Sequence, residues 1–257
     1  MPSRWGNAIS VRVSPIRPPR FSLERESRGH LVLRAGSGAV AHLFVLEEDL
    51  FRVLVIPPRR HDLPRTWAIA PGAEDGPIAG RRRSDLAGFS TPKFFCRETA
   101  ERLVVATKRI RLTVERSGFL CTWAMRTDDG RWLDAARDRP TQAYNFGWWD
   151  QRVYHYLARD PAEKYFGLGE HSGDLDLTGR RLVLSASDAL GYNAKSSDPL
   201  YKHLPFYVTC RPRAHLAFGI FYDTLSNCAF DFGCELSAYH GLFRSFIADH
   251  GILDYYA

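Results

Sequence analysis

The chain has no run approaching the roughly 18 consecutive apolar residues that a membrane-spanning helix needs. Met1 to Arg20 is rich in Arg and Pro but has no apolar core segment, which excludes a secretory signal. The five cysteines (Cys96, Cys121, Cys210, Cys228, Cys234) form no C-x-x-C pair and, with the histidines, match no common zinc spacing. No metal or other cofactor is therefore expected, and several of the cysteines sit in apolar patterns, where a free Cys acts as a small hydrophobe. Together these absences predict a soluble, reduced, cytoplasmic protein. No internal repeat, long amphipathic helical pattern or strand–helix–strand unit is visible. The net charge of +6 comes almost wholly from Arg. A nucleic-acid binder concentrates such charge on one stripe, whereas these arginines are scattered, so no nucleic-acid partner is expected. The densest run, Arg81-Arg82-Arg83, lies among Gly, Pro and Ser and reads as a solvated loop.

What is abundant is aromatic: 16 Phe, 11 Tyr and 6 Trp in 257 residues. Such side chains pack well on pleated surfaces and favour a β-rich fold; they also suit a surface that handles sugars. Leu31-Val32-Leu33, Ala41 to Leu46 and Leu50 to Ile56 read as strands, the last closed by Pro57-Pro58. Residues 61–91 turn to Gly, Pro, Arg and Asp and read as a long loop or an excursion off the sheet. Arg109 to Glu115 alternates strictly between polar and apolar, the mark of a strand with one buried face. Ser117-Gly118 and Asp128-Asp129-Gly130 supply hairpin turns on either side of Phe119 to Met125. Asp160-Pro161-Ala162-Glu163 has the cap, Pro and Glu of a helix start, with space for one turn. Leu204 to Cys210, Leu216 to Tyr222, Asn227 to Phe232 and Leu242 to Ile247 are again strand-like. These spacings predict an all-β, antiparallel β-sandwich over residues 21–257, preceded by an irregular lead-in over 1–20.

The stretch from Tyr165 to Tyr201 resists this pattern. Tyr165-Phe166-Gly167-Leu168-Gly169-Glu170-His171 leads through a polar connection to Ser185-Ala186-Ser187-Asp188-Ala189-Leu190-Gly191-Tyr192, then Asp198-Pro199-Leu200-Tyr201. Glycines, aromatics and unpaired carboxylates crowd together here, as they do where backbone turns sharply beside a ligand or a partner domain. The final segment, Gly251 to Ala257, is an apolar strand-like run with no cap or polar tail, and reads as a chain cut on entering its next element.

On these residues, with Pro205-Phe206, Phe218 to Asp223 and Gly251 to Tyr256 in the same order, the sequence closely resembles the N-terminal domain of family 31 glycoside hydrolases. These form the α-glucosidase and α-xylosidase group. The resemblance implies a galactose-mutarotase-like sandwich preceding a (β/α)8 barrel, which carries two catalytic aspartates and a retaining mechanism on an α-linked sugar. The family's Trp-x-Asp-Met-Asn-Glu nucleophile motif is absent; Trp148-Trp149-Asp150 is the nearest sequence. A barrel takes about 250 residues and none follow Ala257. The chain is thus expected to hold no catalytic residue and to be inactive alone, its partner the missing barrel. The resemblance places a substrate-binding residue at Asp188, on a loop that reaches over the barrel mouth, where a carboxylate accepts hydrogen bonds from sugar hydroxyls. Read from its neighbours alone, Asp188 also suits a local turn bonded to backbone amides before Gly191.

Other residues were weighed. Glu170 and His171 match the Glu–His chemistry of sugar epimerases of the same fold, but neighbours on a strand point to opposite faces. A tight structural crossing is the favoured reading of that segment. Asp174 and Asp176 read as a solvated loop pair, His203 as a structural histidine, and Trp148-Trp149 as core or a sugar platform. Two alternatives therefore stand beside the glycosidase domain: a free-standing carbohydrate-binding module and an aldose epimerase.

Overall fold

The computed structural model describes residues 18–60, 64–72, 76–146, 150–237 and 239–257. Four strands open the chain as an antiparallel meander: β1 (Phe21–Ser27), β2 (His30–Ala35), β3 (Val40–Glu47) and β4 (Leu50–Ile56). A strap follows, whose described residues hold one short pair, β5 (Arg65–Thr66) and β6 (Arg81–Arg82). The predicted alternating strand lies within a second meander of β7 (Phe95–Glu98), β8 (Arg102–Ala106), β9 (Ile110–Glu115), β10 (Leu120–Arg126) and β11 (Trp132–Arg137). In β9 the apolar residues Ile110, Leu112 and Val114 are buried while the polar ones between them are half-buried, as the alternation predicts. The remaining strands are β12 (Tyr144–Asn145), β13 (Val153–Ala158), β14 (Lys164–Gly167), β15 (Arg181–Leu184), β16 (Phe206–Arg211), β17 (Leu216–Tyr222), β18 (Cys228–Asp231), β19 (Phe243–Ala248) and β20 (Leu253–Tyr256).

These strands form two layers. One is an eight-stranded sheet in the order β1-β2-β3-β4-β20-β17-β16-β14. The other consists of two five-stranded sheets, β11-β10-β9-β8-β7 and β12-β13-β19-β18-β15, joined by an antiparallel bridge between Asp138 and Leu157. At that junction the buried Asp138 carboxylate accepts from the Cys121 amide at 2.8 Å, from His155 Nε2 at 3.0 Å and from the Tyr144 hydroxyl. Burying a carboxylate is tolerable only when its lone pairs are so filled. The main core lies between the layers, with Leu31, Leu33, Leu43, Val53 and Leu253 facing Leu103, Leu112, Val114, Phe230 and Phe246. This is the expected antiparallel sandwich. Among the described residues there is no α-helix, only a short 3-10 turn at Pro212–Ala214.

The centre of the eight-stranded sheet is buried on both sides, which explains the nearly unbroken apolar run of β4. Phe51, Val53 and Val55 face the main core. Leu54, together with Phe44, Leu46, Ile252 and Tyr256, faces outward into a second core closed by Ile69, Leu86 and Phe89 of the strap. Register lines up His30, Phe44, Arg52 and Tyr256 across four strands on this outer face. The Arg52 guanidinium lies 4.8 Å from the Phe44 ring centroid and 5.2 Å from that of Tyr256, a cation–π sandwich.

The reading of Arg81-Arg82-Arg83 as a solvated loop is overturned here. Arg82 is exposed, but Arg81 and Arg82 form β6, Arg81 stacks on Phe89, and Arg83 is buried. Arg83 donates to Asp223 at 2.6 Å and to Asp254, while Arg52 grips both Asp254 oxygens at 2.7 and 2.6 Å. Thr66 adds a hydrogen bond to Asp223 at 2.9 Å. Two guanidinium groups and two carboxylates thus neutralise one another beneath the strap. Burial, then the neighbouring Asp254, pushes the Asp223 carboxyl above the usual range. Burial works against the charge of Arg52 too, yet the Asp254 carboxylate outweighs it and holds the group protonated. The polar connection after His171 also proves to contain a strand, β15, in which Leu182 and Leu184 point inward.

Removing one member of this quartet strands an opposite charge in a dry site. Asp254→Asn is expected to lower stability by about 3–5 kcal/mol, read as a lower urea midpoint at unchanged slope. A midpoint equal to the parent's would show that the quartet is dispensable. On the same face, burial, then the positive field of His42, Arg25 and Arg52, lowers the His30 imidazole to about 4. The unfolded chain protonates near 6.5, so below that pH it binds a proton the native state refuses. The fold is therefore expected to lose stability as pH falls from 6.5 to about 4, and His30→Gln to lose less across that window. Parallel pH profiles of the urea midpoint for the two proteins would contradict this.

Candidate functional site

The stretch singled out in the sequence starts on β14, at the edge of the eight-stranded sheet. Tyr165 is buried, stacks on Phe232 with centroids 4.6 Å apart, and donates its hydroxyl to Glu163 at 2.6 Å. Arg244, fully buried, donates to the same Glu163 oxygen at 3.0 Å and to the Tyr207 hydroxyl at 3.1 Å. This rigid base carries the crossing. Gly167, Leu168 and Gly169 all take positive φ, at 119°, 62° and 68°. They fold the chain over the start of β16, where the Leu168 amide donates to the Phe206 carbonyl at 2.7 Å. A side chain on Gly167 would meet the Phe206 carbonyl at 2.7 Å and the Tyr207 backbone at 3.0 Å. The crossing read from the glycines is therefore present, and close backbone approach requires glycine at its first position.

Glu170 and His171 do not converge. Glu170 is exposed, while His171 Nε2 donates back to the Gly167 carbonyl at 3.0 Å. Asp176 holds its own turn: it accepts from Thr178 and from Lys164 at 2.8 Å. Partial burial opposes ionisation there, yet these bonds keep its carboxyl at about 2. His203 is structural, donating to the Ser226 carbonyl at 2.9 Å. Trp148 and Trp149 lie outside the described residues.

After β15 the chain crosses from its five-stranded sheet to β16 of the eight-stranded sheet, and this 185–205 loop has two different halves. The second half is anchored. Asp198 accepts the Val183 amide at 2.7 Å, Ser197 accepts the Asn193 amide at 2.7 Å, and Leu200 is buried. Burial raises the Asp198 carboxyl, although the Val183 amide opposes the shift. The Gly173 amide donates to the Ala194 carbonyl at 2.9 Å, tying the loop to the turn after His171. The first half is bonded within itself, the Ser187 amide donating to the Ser185 carbonyl at 2.6 Å. Asp188 is exposed, and no hydrogen bond to its carboxylate is found among the described residues. The local-turn reading of Asp188 therefore finds no bonded amide. Leu190 is 83% and Tyr192 52% exposed. What the loop can do chemically is present a charged acceptor beside apolar side chains, on a pinned base. It contains no proton-transfer pair.

A model described as the glycosyl hydrolase 31 N-terminal galactose mutarotase-like domain matches residues 40–231. Over 159 residues the chain is 33% identical to the alpha-glucosidase 2 of Bacillus thermoamyloliquefaciens, a match covering 62% of this chain and 19% of that protein. Among solved structures, a Flavobacterium johnsoniae GH31 dextranase complexed with glucose is similar with a TM-score of 0.68 at 19% identity. The match covers 93% of this chain and 26% of the dextranase. An alpha-1,4-glucan lyase of Gracilariopsis lemaneiformis also gives 0.68, at 13% identity, over 93% of this chain and 28% of that one. At such identities the structures share the fold. The chain spans about a fifth of the length of its curated relative.

The crossing predicts a sharp contrast between two glycines of similar backbone sign. Gly167→Ala forces a methyl group into backbone and is expected to lower stability by roughly 2–4 kcal/mol. Gly191→Ala enters open space and carries only left-handed strain of about 1–2 kcal/mol. Equal urea midpoints for the two variants would remove the crossing as the rigid base of the loop.

Proposed function

Because the chain belongs to the glycosyl hydrolase 31 N-terminal galactose mutarotase-like domain family, we propose that it serves as the non-catalytic domain of a retaining α-glycosidase. In this reading it packs against a (β/α)8 barrel and lends that barrel's sugar pocket the tip of the 185–205 loop. The observation that carries it is the free Asp188 carboxylate on a loop whose other half is pinned. An anchored base with an uncommitted acceptor suits a ligand contact, because the acceptor needs no rearrangement before it meets a hydroxyl. Exposed Val183, Leu190, Tyr192, Tyr201, Leu204 and Phe206 fall in the same stretch, as expected of a face that another domain covers.

An epimerase needs a Glu and a His converging on one sugar. His171 is turned to its own backbone, and the cleft containing Glu163 includes no histidine among the described residues. The relatives' names cover a glucosidase, a dextranase and a lyase, which fits chemistry and linkage being set by the barrel rather than by this domain.

The isolated chain is expected to release no sugar from an aryl α-glucoside; turnover at an enzyme-like rate would end this reading. A chimera in which the chain replaces the matching segment of the Bacillus thermoamyloliquefaciens enzyme tests the loop. There Asp188→Asn is expected to raise KM by roughly 10–100-fold, the loss of a hydrogen bond to a charged group, with an unchanged circular dichroism spectrum. Equal KM and kcat in the two chimeras would take Asp188 out of the pocket.

A further inference from the structure

A second concave site lies on the outer face of the eight-stranded sheet, where the strap crosses it. The cavity has a volume of about 400 Å3, enough for a monosaccharide-sized ligand. Phe44, Leu54 and Pro64 form its apolar lining, and its polar lining is His30, His42, Arg65, Arg82, Arg83 and Ser84. Among the described residues, neither Asp nor Glu lines it. A described lining of guanidinium and imidazole groups without a carboxylate is unusual for solvated structure, since like charges gathered at one place repel.

The charges behind this wall do not cancel those in front. Arg83 is matched by Asp223 and Asp254. Arg65 donates to the Gly80 carbonyl at 2.6 Å, and neither it nor Arg82 makes an ion pair among the described residues. The Arg83 side chain is 6% exposed, and its Nε is a buried donor with no acceptor among the described residues. His30 and His42 share a hydrogen bond of 2.9 Å, so this imidazole pair holds one proton between facing nitrogens. Burial, then the positive field of His42, Arg25 and Arg52, keeps His30 neutral at neutral pH.

We propose that this cavity binds a small oxyanion, a phosphate or carboxylate group carried on a body no larger than a sugar. Arg65 and Arg82 supply the charge, and His30 supplies a donor that an arriving anion makes easier to protonate. Guanidinium forks match both oxyanions, so the lining defines the charge chemistry and leaves the carrier to experiment. The site is distinct from the 185–205 loop and does not depend on how that loop is used.

The test is an NMR titration of the His30 imidazole in the whole 257-residue chain at low salt. The probes are inorganic phosphate, glucose 6-phosphate, glucuronate and, as a neutral control, glucose. Saturable shifts with a Kd of roughly 1 mM or tighter are expected for the anions, weakening with added salt. The His30 pKa should rise from about 4 as the site fills. Arg82→Ala, an exposed residue whose loss spares both cores, should weaken binding roughly tenfold or more. Equal affinity for inorganic phosphate and glucose 6-phosphate would identify the free ion as ligand. Tighter binding of glucose 6-phosphate or of glucuronate would identify the phosphorylated or carboxylated sugar. Silence from every anion, an equal response to glucose, or unchanged affinity in Arg82→Ala would overturn the proposal.

Discussion

The sandwich depends on how two arginines and two aspartates are buried together beneath the strap. Arg52 and Asp254 belong to neighbouring strands in the middle of the sheet, although 202 residues separate them in sequence. Arg83 comes from the strap, and Asp223 directly follows β17. Each alone would be ruinous in a dry site; as a neutral quartet they bind the first third of the chain to its last strands. The strap has little regular structure of its own, and what keeps it on the sheet is this knot together with Ile69, Leu86 and Phe89.

The strands were legible because their cause is local. Alternation in Arg109 to Glu115, paired prolines after Ile56 and the Asp-Asp-Gly turn each act within a few residues, and β9, β4 and the β10–β11 hairpin fall where those signals put them. The strap was not legible. Arg81-Arg82-Arg83 carries the composition of a wet loop, and only the distant Asp223 and Asp254 turn its last residue inward. No periodicity reports a partner more than a hundred residues away. β15 was hidden for a similar reason: four residues between polar segments give too short a pattern to register.

The 185–205 loop was half legible. Its glycines and carboxylates marked a place where the backbone does something other than pack, and the crossing at Gly167 bears this out at the level of single contacts. Which carboxylate works locally and which is left over could not be read from residue type. Asp176 and Asp198 are consumed by neighbouring amides and side chains, whereas no hydrogen bond to the Asp188 carboxylate is found among the described residues. The outer-face cavity left no trace in the sequence, because His30, His42, Arg65 and Arg82 come from separate strands and share no motif.

The position of β20 bears on how such a chain is made. Its residues follow those of every other described strand, yet it lies between β4 and β17 near the middle of the eight-stranded sheet. Until it emerges from the ribosome, the sheet exists as two halves, each offering an unpaired edge to any neighbour. At about 5–20 residues per second, β4 waits roughly ten seconds or more for its partner. Topology of this kind folds slowly, and it gives a cell a reason to keep nascent copies of the chain apart.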